Sequence, residues 1–220
     1  MPGAVIVRRR YLATLPLLGA VVSALLPASV HAAKPWGCYD PRPGHPTAAE
    51  KAAYVAEISR LAVDAERSHG VPAPAIAAMA IEESGYGFTR TALEANNLFG
   101  YKWTSRNAAG GRDNYVLACQ PEWDVNNKYI RFASRADAMD FVAHRLATSS
   151  FYRNDTSSFQ AAIATGQERD RAIREWVAGI AEPYNFDPAR YTRKIERLMN
   201  DPLNPADHSN PADSLYLLVP

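Results

Sequence analysis

The 220-residue chain is poor in the features that would build a metal centre or a nucleic-acid interface. Its formal net charge of +1 gives no electrostatic basis for nucleic acid as a partner. Gly110-Gly111 lacks the rest of any phosphate-binding loop. The histidines that follow residue 32 show no metal-ligand spacing: His45, His69, His144 and His208. We therefore expect no metal, no other cofactor and no nucleic-acid partner.

The chain begins with an apolar run that is short for a membrane span. Residues 11–26 number 16 and include Pro16, whereas a spanning helix needs about 20 residues. Arg8-Arg9-Arg10 precede the run, and Val30-His31-Ala32 offers a small-residue cleavage site, so we predict a signal peptide over residues 1–32. The three arginines fit a twin-arginine export signal and equally fit the basic region of an ordinary Sec signal peptide. We expect a periplasmic or secreted protein, exported by either route, with no stable membrane insertion after cleavage.

Cysteine is scarce, with only Cys38 and Cys119 present. Two cysteines in an exported chain favour one disulfide, which would tie the N-terminal arm to the middle of the domain. Two buried thiols are the alternative. Cys119 and His144 would form a nucleophilic pair only if Cys119 were unpaired.

The remaining patterns predict an α+β fold, mainly α, with one small β-hairpin. A proline-rich arm over residues 33–46 precedes a single domain over residues 47–203, and residues 204–220 form a loosely ordered C-terminal tail. A capping box at Thr47–Glu50 opens a helix that ends at Gly70. Strands are predicted over residues 115–123 and 128–133. Further helices are expected over residues 135–146, 158–164, 168–180 and 188–200.

The most informative segment is an alanine-rich helix that starts near residues 71–75 and stops at Gly85. It is apolar nearly all round, so we expect it to be buried. Glu83 continues its apolar stripe from Ile76. A carboxyl group in such a place resists ionisation, and repulsion from Glu82 adds to that effect. Such a glutamate can act as a general acid near neutral pH. The alternative is a pair of solvated acids at a helix end.

The chain contains two motifs that resemble, in sequence and in order, those of the glucosaminidase domain of glycoside hydrolase family 73. The first motif is similar to ESGWG…NNLFGIK and consists of Glu83-Ser84-Gly85-Tyr86-Gly87 followed by Asn96-Asn97-Leu98-Phe99-Gly100-Tyr101-Lys102. Residues 184–195, which read YNFDPARYTRKI, are similar to YATDPxYxxKI. The resemblance covers roughly residues 47–203. It implies a lysozyme-like layout and an endo-β-N-acetylglucosaminidase that cleaves β-1,4 bonds in the glycan strands of peptidoglycan, without a cofactor.

The resemblance also implies catalytic residues. Glu83 would be the general acid. Its counterpart would be an acidic residue of the hairpin or the 2-acetamido group of the substrate itself. Glu122 falls in the corresponding predicted strand, with Asp113 and Asp124 as alternatives. Pro121 departs from the family pattern because it removes a ladder donor, and an exposed edge-strand acid is an equally good interpretation of Glu122. The stereochemical course stays open.

Predicted substrate-binding residues are Tyr184, Tyr86, Asn97, Phe99 and Trp103. Tyr184 would face the cleft near Glu83 and orient or stack on a sugar, or else pack in the core. We expect the side chains of Tyr86, Phe99 and Trp103 to pack over the Glu83 carboxyl group. Phe99 and Trp103, together with Tyr101 and Trp123, are candidate sugar platforms or core residues. Asn96 and Asn97 either hold their loop or bind an N-acetyl group.

We expect a monomer whose partner is the glycan strands of peptidoglycan. Two alternative functions remain open. A lytic transglycosylase would share the helix-end Glu-Ser-Gly but usually has Gly-Leu-Met-Gln where this chain has Asn-Leu-Phe-Gly. A non-catalytic wall-binding module would keep the fold without the chemistry.

Overall fold

The computed structural model describes residues 35–207 and 210–220. The predicted signal peptide lies outside the described residues. Within them, the chain forms seven α-helices, which share one apolar core, and one two-stranded antiparallel sheet. The prediction of an α+β fold, mainly α with one hairpin, is therefore confirmed. None of the described helices has the length and apolar character needed to cross a membrane.

The elements follow the chain in this order: α1 Ala48–His69, α2 Ala73–Ser84, α3 Arg90–Ala95, β1 Asn114–Val116, β2 Lys128–Ile130, α4 Arg135–Thr148, α5 Arg153–Ala164, α6 Arg169–Tyr184 and α7 Pro188–Asn200. Two short 3-10 turns, Pro211–Asp213 and Leu215–Leu217, come after α7. The helix bounds predicted for α1, α2 and α7 agree with the structure. Helix α3 was not predicted, and α5 begins five residues earlier than expected.

Helix α2 lies at the centre of the core. Its residues from Ala73 to Ile81 are all buried, because its many alanines let α1, α6 and α7 approach closely on several sides. The capping box of α1 forms as predicted, with the Thr47 side chain and Glu50 bonding each other's backbone N–H. Gly70 ends α1 in the left-handed conformation that glycine adopts without strain.

The hairpin is shorter than predicted. Strand β1 pairs with β2 over three residues, with Tyr115 opposite Tyr129. After Leu117 the chain turns back on itself: the Gln120 N–H bonds the Leu117 carbonyl at 3.1 Å, and the Asp124 N–H bonds the Pro121 carbonyl at 3.0 Å. Pro121 has no N–H to extend the ladder. The prediction that Glu122 lies in a strand is therefore wrong, because it occupies an exposed turn.

The arm is fixed to the domain by covalent and non-covalent contacts. Cys38 and Cys119 form a disulfide, as predicted. The Arg90 guanidinium stacks on the Trp36 ring at 3.7 Å from its centroid, and the Arg42 N–H bonds the Phe88 carbonyl at 2.9 Å. The arm thus connects the hairpin region to the turn that follows α2.

The described part of the C-terminal tail packs on the core, contrary to the expected loose order. Leu215 is buried, and its turn contacts α2 and α7. The Ser214 hydroxyl donates to the Met199 carbonyl at 3.0 Å, and the Tyr86 hydroxyl donates to the Pro202 carbonyl at 2.6 Å. The apolar residues 215–218 explain the difference, since they offset the proline-rich composition around them.

Candidate active site

Glu83 sits in the last turn of α2, and the backbone just beyond it is held tightly. Gly85, Tyr86 and Gly87 are three successive left-handed residues. Ser84 holds this turn from inside the core: its Oγ accepts from the Gly87 N–H at 2.8 Å and shares a 2.7 Å hydrogen bond with the Tyr54 hydroxyl. The position of Glu83 is therefore set by a buried helix on one side and an anchored turn on the other.

The surroundings of Glu83 favour its protonated form. Burial is the largest cause and raises the pKa of Glu83 to about 7, and the charge of Glu82 adds to the rise. The Tyr191 hydroxyl and Lys194 act in the opposite direction, because both favour the carboxylate. Glu82 itself forms an ion pair with Lys194 of α7. The two adjacent acids thus differ, one being a paired carboxylate and the other a group that holds a proton near neutral pH.

Two cavities meet at Glu82 and Glu83. The smaller, of about 210 Å³, runs along the start of α7, where Phe186, Arg190 and Tyr191 line it. The larger, of about 300 Å³, lies between α2, the arm and the hairpin. Its walls include both sides of the cleft: Cys38, Tyr39, Thr89, Arg90, Thr91, Gly100, Leu117 and Tyr129. A chain-like ligand lying across both cavities would pass over the Glu83 carboxyl group.

Two tyrosines pack beside Glu83. The rings of Tyr184 and Tyr191 stack with their centroids 5.4 Å apart. Both lie close enough to the Glu83 carboxylate for its charge to raise their pKa values, although burial is the larger cause. The Tyr184 hydroxyl donates to the Phe99 carbonyl at 3.5 Å. The Tyr191 hydroxyl is buried and interacts with Glu83, and this interaction favours the carboxylate, although the contact falls outside ideal hydrogen-bond geometry.

Tyr86, Phe99 and Trp103, which we expected to cover Glu83, do not line either of the two cavities. Phe99 is buried in the core. The Trp103 Nε1 donates to the Arg112 carbonyl at 2.9 Å, and Tyr86 packs against Tyr54 and Lys51. Of the two tyrosines beside Glu83, Tyr191 lines the smaller cavity and Tyr184 lines neither.

The hairpin acids do not share a cavity with Glu83. Glu122, Asp113 and Asp124 do not line either cavity. Asp124 accepts from the Lys102 ammonium at 3.2 Å and from the Tyr39 hydroxyl at 2.8 Å. Asp113 is exposed and pairs with Arg106. The described structure therefore brings Glu83 together with Tyr184, but not with Glu122.

The Asn-Asn pair supports the loop before the hairpin. Asn97 is fully buried, and its Nδ2 donates to the carbonyls of Tyr101 and Ile130, each at 2.9 Å. Its Oδ1 accepts from the Tyr101 N–H at 2.9 Å. Asn96 takes the left-handed position that ends α3 and bonds the Phe132 carbonyl. Of the two roles considered, the structure favours holding the loop, since no atom of Asn97 remains exposed to a sugar.

Sequence reasoning missed three residues at this site: Phe186, Tyr191 and Lys194. All three belong to the second motif, but no role was assigned to them. Helical spacing could have found two of them, because Tyr191 and Lys194 lie three residues apart on one face of α7. Within the described ranges, no three His, Cys, Asp or Glu side chains cluster so that they could hold a metal ion.

Comparisons with known proteins give one family match and a structural match. The glucosaminidase family model, described as mannosyl-glycoprotein endo-beta-N-acetylglucosaminidase, matches residues 59–203. Among solved structures, the catalytic domain of the autolysin Auto from Listeria monocytogenes is similar in fold, with a TM-score of 0.50 and 19% sequence identity. The match covers 76% of this chain and 91% of that domain. No curated protein sequence matches.

Proposed function

Because this chain belongs to the glucosaminidase family of glycoside hydrolases, we propose that it is an exported enzyme that hydrolyses β-1,4 bonds at N-acetylglucosamine in peptidoglycan. Glu83 is the general acid in this proposal. The observation that carries it is a carboxyl group with a pKa of about 7, placed where two cavities meet. That pKa leaves Glu83 largely protonated in mildly acidic solution, so that it has a proton to give.

Glu83 acts first on the leaving group. A glycan strand lies across both cavities with the scissile bond above the carboxyl group. The proton of Glu83 moves to the glycosidic oxygen as the bond from that oxygen to C1 breaks. Glu83 is left as a carboxylate, which Lys194 and the Tyr191 hydroxyl favour.

The group that attacks C1 is, in this proposal, the 2-acetamido oxygen of the substrate. Apart from Glu83, the acids that line the two cavities are Glu82 and Asp187. Glu82 is paired with Lys194, and Asp187 caps α7 by accepting from the Arg190 N–H at 3.1 Å. Neither is free to serve as a nucleophile. The acetamido oxygen closes a five-membered ring on C1, and water then reopens it while Glu83 takes the proton of that water.

Export is supported by the disulfide between Cys38 and Cys119. Disulfides persist in oxidising compartments and are rare in the reducing cytosol. Together with the signal peptide predicted over residues 1–32, the disulfide favours a periplasmic or secreted enzyme, where peptidoglycan is accessible.

Product analysis tests the proposal. Purified protein is incubated with isolated sacculi, and the released fragments are examined by mass spectrometry. We expect hydrated reducing ends on N-acetylglucosamine from the unchanged protein and none from Glu83→Gln. Anhydro-muramyl ends would instead identify a lytic transglycosylase. Binding to sacculi with no released fragment would identify a non-catalytic wall-binding module.

A further inference from the structure

Phe186 is the large apolar side chain that the fold exposes most among the described residues. Its relative exposure is 99%, and it lines the smaller cavity together with Glu83. A single exposed apolar residue is ordinary on a protein surface. Phe186 differs from such a residue in its location, because an exposed aromatic ring at the mouth of the cavity that contains Glu83 can contact a bound substrate.

The backbone on both sides of Phe186 is fixed. The residue occupies the short turn between α6 and α7. The Asp187 N–H bonds the Asn185 Oδ1 at 2.9 Å, and the Asp187 Oδ1 accepts from the Arg190 N–H at 3.1 Å. Pro188 then opens α7 with its restricted φ. The ring is therefore presented from a rigid turn, and its binding would cost little backbone entropy.

We propose that the Phe186 ring stacks on a pyranose ring of the glycan strand at the mouth of the 210 Å³ cavity, next to the bond that is cleaved. This inference rests on the proposed function. A pyranose presents an apolar face of C–H groups to an aromatic ring and hydroxyl groups around its edge. Asp187, Arg190 and Lys194 line the same cavity and offer partners for those hydroxyls.

A sugar fits these surroundings better than a protein or a membrane does. Docking of either of those requires a continuous apolar patch. The residues next to Phe186 in the chain, Asn185 and Asp187, are polar, and the other side chains of this cavity are mainly charged. One aromatic ring among polar groups is the arrangement expected for a single sugar unit.

The test compares Phe186→Ala with Phe151→Ala. Phe151 is 71% exposed and lines neither cavity that contains Glu83, so it is a matched control. We expect Phe186→Ala to raise KM for sacculi by about three- to tenfold, with kcat and Tm nearly unchanged. Phe186→Trp should keep KM near that of the unchanged protein. Phe151→Ala should alter none of these values. An unchanged KM in Phe186→Ala, or an equal rise in Phe151→Ala, would overturn the proposal.

A second measurement separates this inference from the proposed hydrolysis. Co-sedimentation with sacculi is measured in a Glu83→Gln background, where no cleavage is expected. Weaker binding on addition of Phe186→Ala, but not of Phe151→Ala, supports the stacking role even if the unchanged protein releases no fragments. Equal binding by all three proteins rejects it, whether or not the unchanged protein is an active hydrolase.

Discussion

Glu83 and Glu122 are two acids of the same domain, but they differ in burial and in exposure to solvent. These properties decide how readily a carboxyl group ionises. Glu83 lies in the last turn of a helix whose residues 73–81 are all buried, and its pKa is raised to about 7. Glu122 lies in an exposed turn beyond a three-residue strand, next to a tryptophan that is 78% exposed. One environment can tune a carboxyl group, whereas the other leaves it in water.

The difference extends to how each region is held. Helix α2 is kept in place by apolar packing on α1, α6 and α7. The hairpin region depends on polar contacts around the Lys102 ammonium, which donates to Gln120, to the Asn126 carbonyl and to the Tyr129 hydroxyl, and on the disulfide. Apolar packing in the core therefore sets the position of Glu83. The hairpin on the other side of the cleft is held by polar contacts and by the disulfide.

The sharpest test of this contrast compares Glu83→Gln with Glu122→Gln. We expect Glu83→Gln to lower kcat on sacculi by about 10²- to 10⁴-fold, because the variant has no proton to donate. Glu122→Gln should stay within about threefold of the unchanged protein. Release of reducing sugars measures both. A loss in Glu122→Gln as large as that in Glu83→Gln would restore Glu122 as the second catalytic carboxylate.

Removal of the disulfide tests how the hairpin wall is attached. The bridge closes a loop with a sequence separation of 81 residues. In the chain-entropy model, its loss in the double variant Cys38→Ser, Cys119→Ser costs about 4 kcal/mol of unfolding free energy. Denaturant unfolding measures that loss. KM should rise as well, because Cys38 lines the larger cavity. Unchanged stability would mean that the polar contacts of the hairpin and arm suffice without the bridge.

The pH dependence of stability tests the environment of Glu83 directly. Its pKa is raised from 4.5 to about 7 in the folded protein, so between these values the native state binds more protons than the unfolded state. Stability therefore falls as pH rises through this window. Glu83→Gln should remove the cost and stabilise the protein by about 1–3 kcal/mol at pH 8, with no difference at pH 4. Thermal unfolding at both pH values measures this. A neutral or destabilising effect at pH 8 would show that the carboxylate is well solvated.

The sequence predicted the α2 side of the cleft better than the hairpin side, for a physical reason. The alanine-rich run and the glycines at 85 and 87 act locally, so they define both the helix and the position of Glu83. The aromatic run from Tyr115 to Trp123 is compatible with a strand, but the chain turns back after Leu117. The local pattern did not reveal that turn or the short ladder.

The aromatic residues around Glu83 were the least predictable part of the site. Phe99 and Phe186 both belong to recognised motifs, yet one is buried in the core and the other is 99% exposed. Their exposure depends on contacts between elements that are far apart in the sequence. The Tyr184 hydroxyl, for example, reaches the Phe99 carbonyl across 85 positions. Spacing within a motif carries no information of that kind.

Tyr191→Phe gives the smallest expected effect and the finest test of how Glu83 is tuned. The Tyr191 hydroxyl interacts with the Glu83 carboxyl group and opposes the rise in its pKa. Without it, the pKa of Glu83 should rise further, and the alkaline limb of the activity profile should move to higher pH while kcat at the optimum falls less than about tenfold. Stability should change little, because the contact that is removed falls outside ideal hydrogen-bond geometry. A purely structural tyrosine would change stability and leave the pH profile in place, so the position of the alkaline limb decides between the two roles.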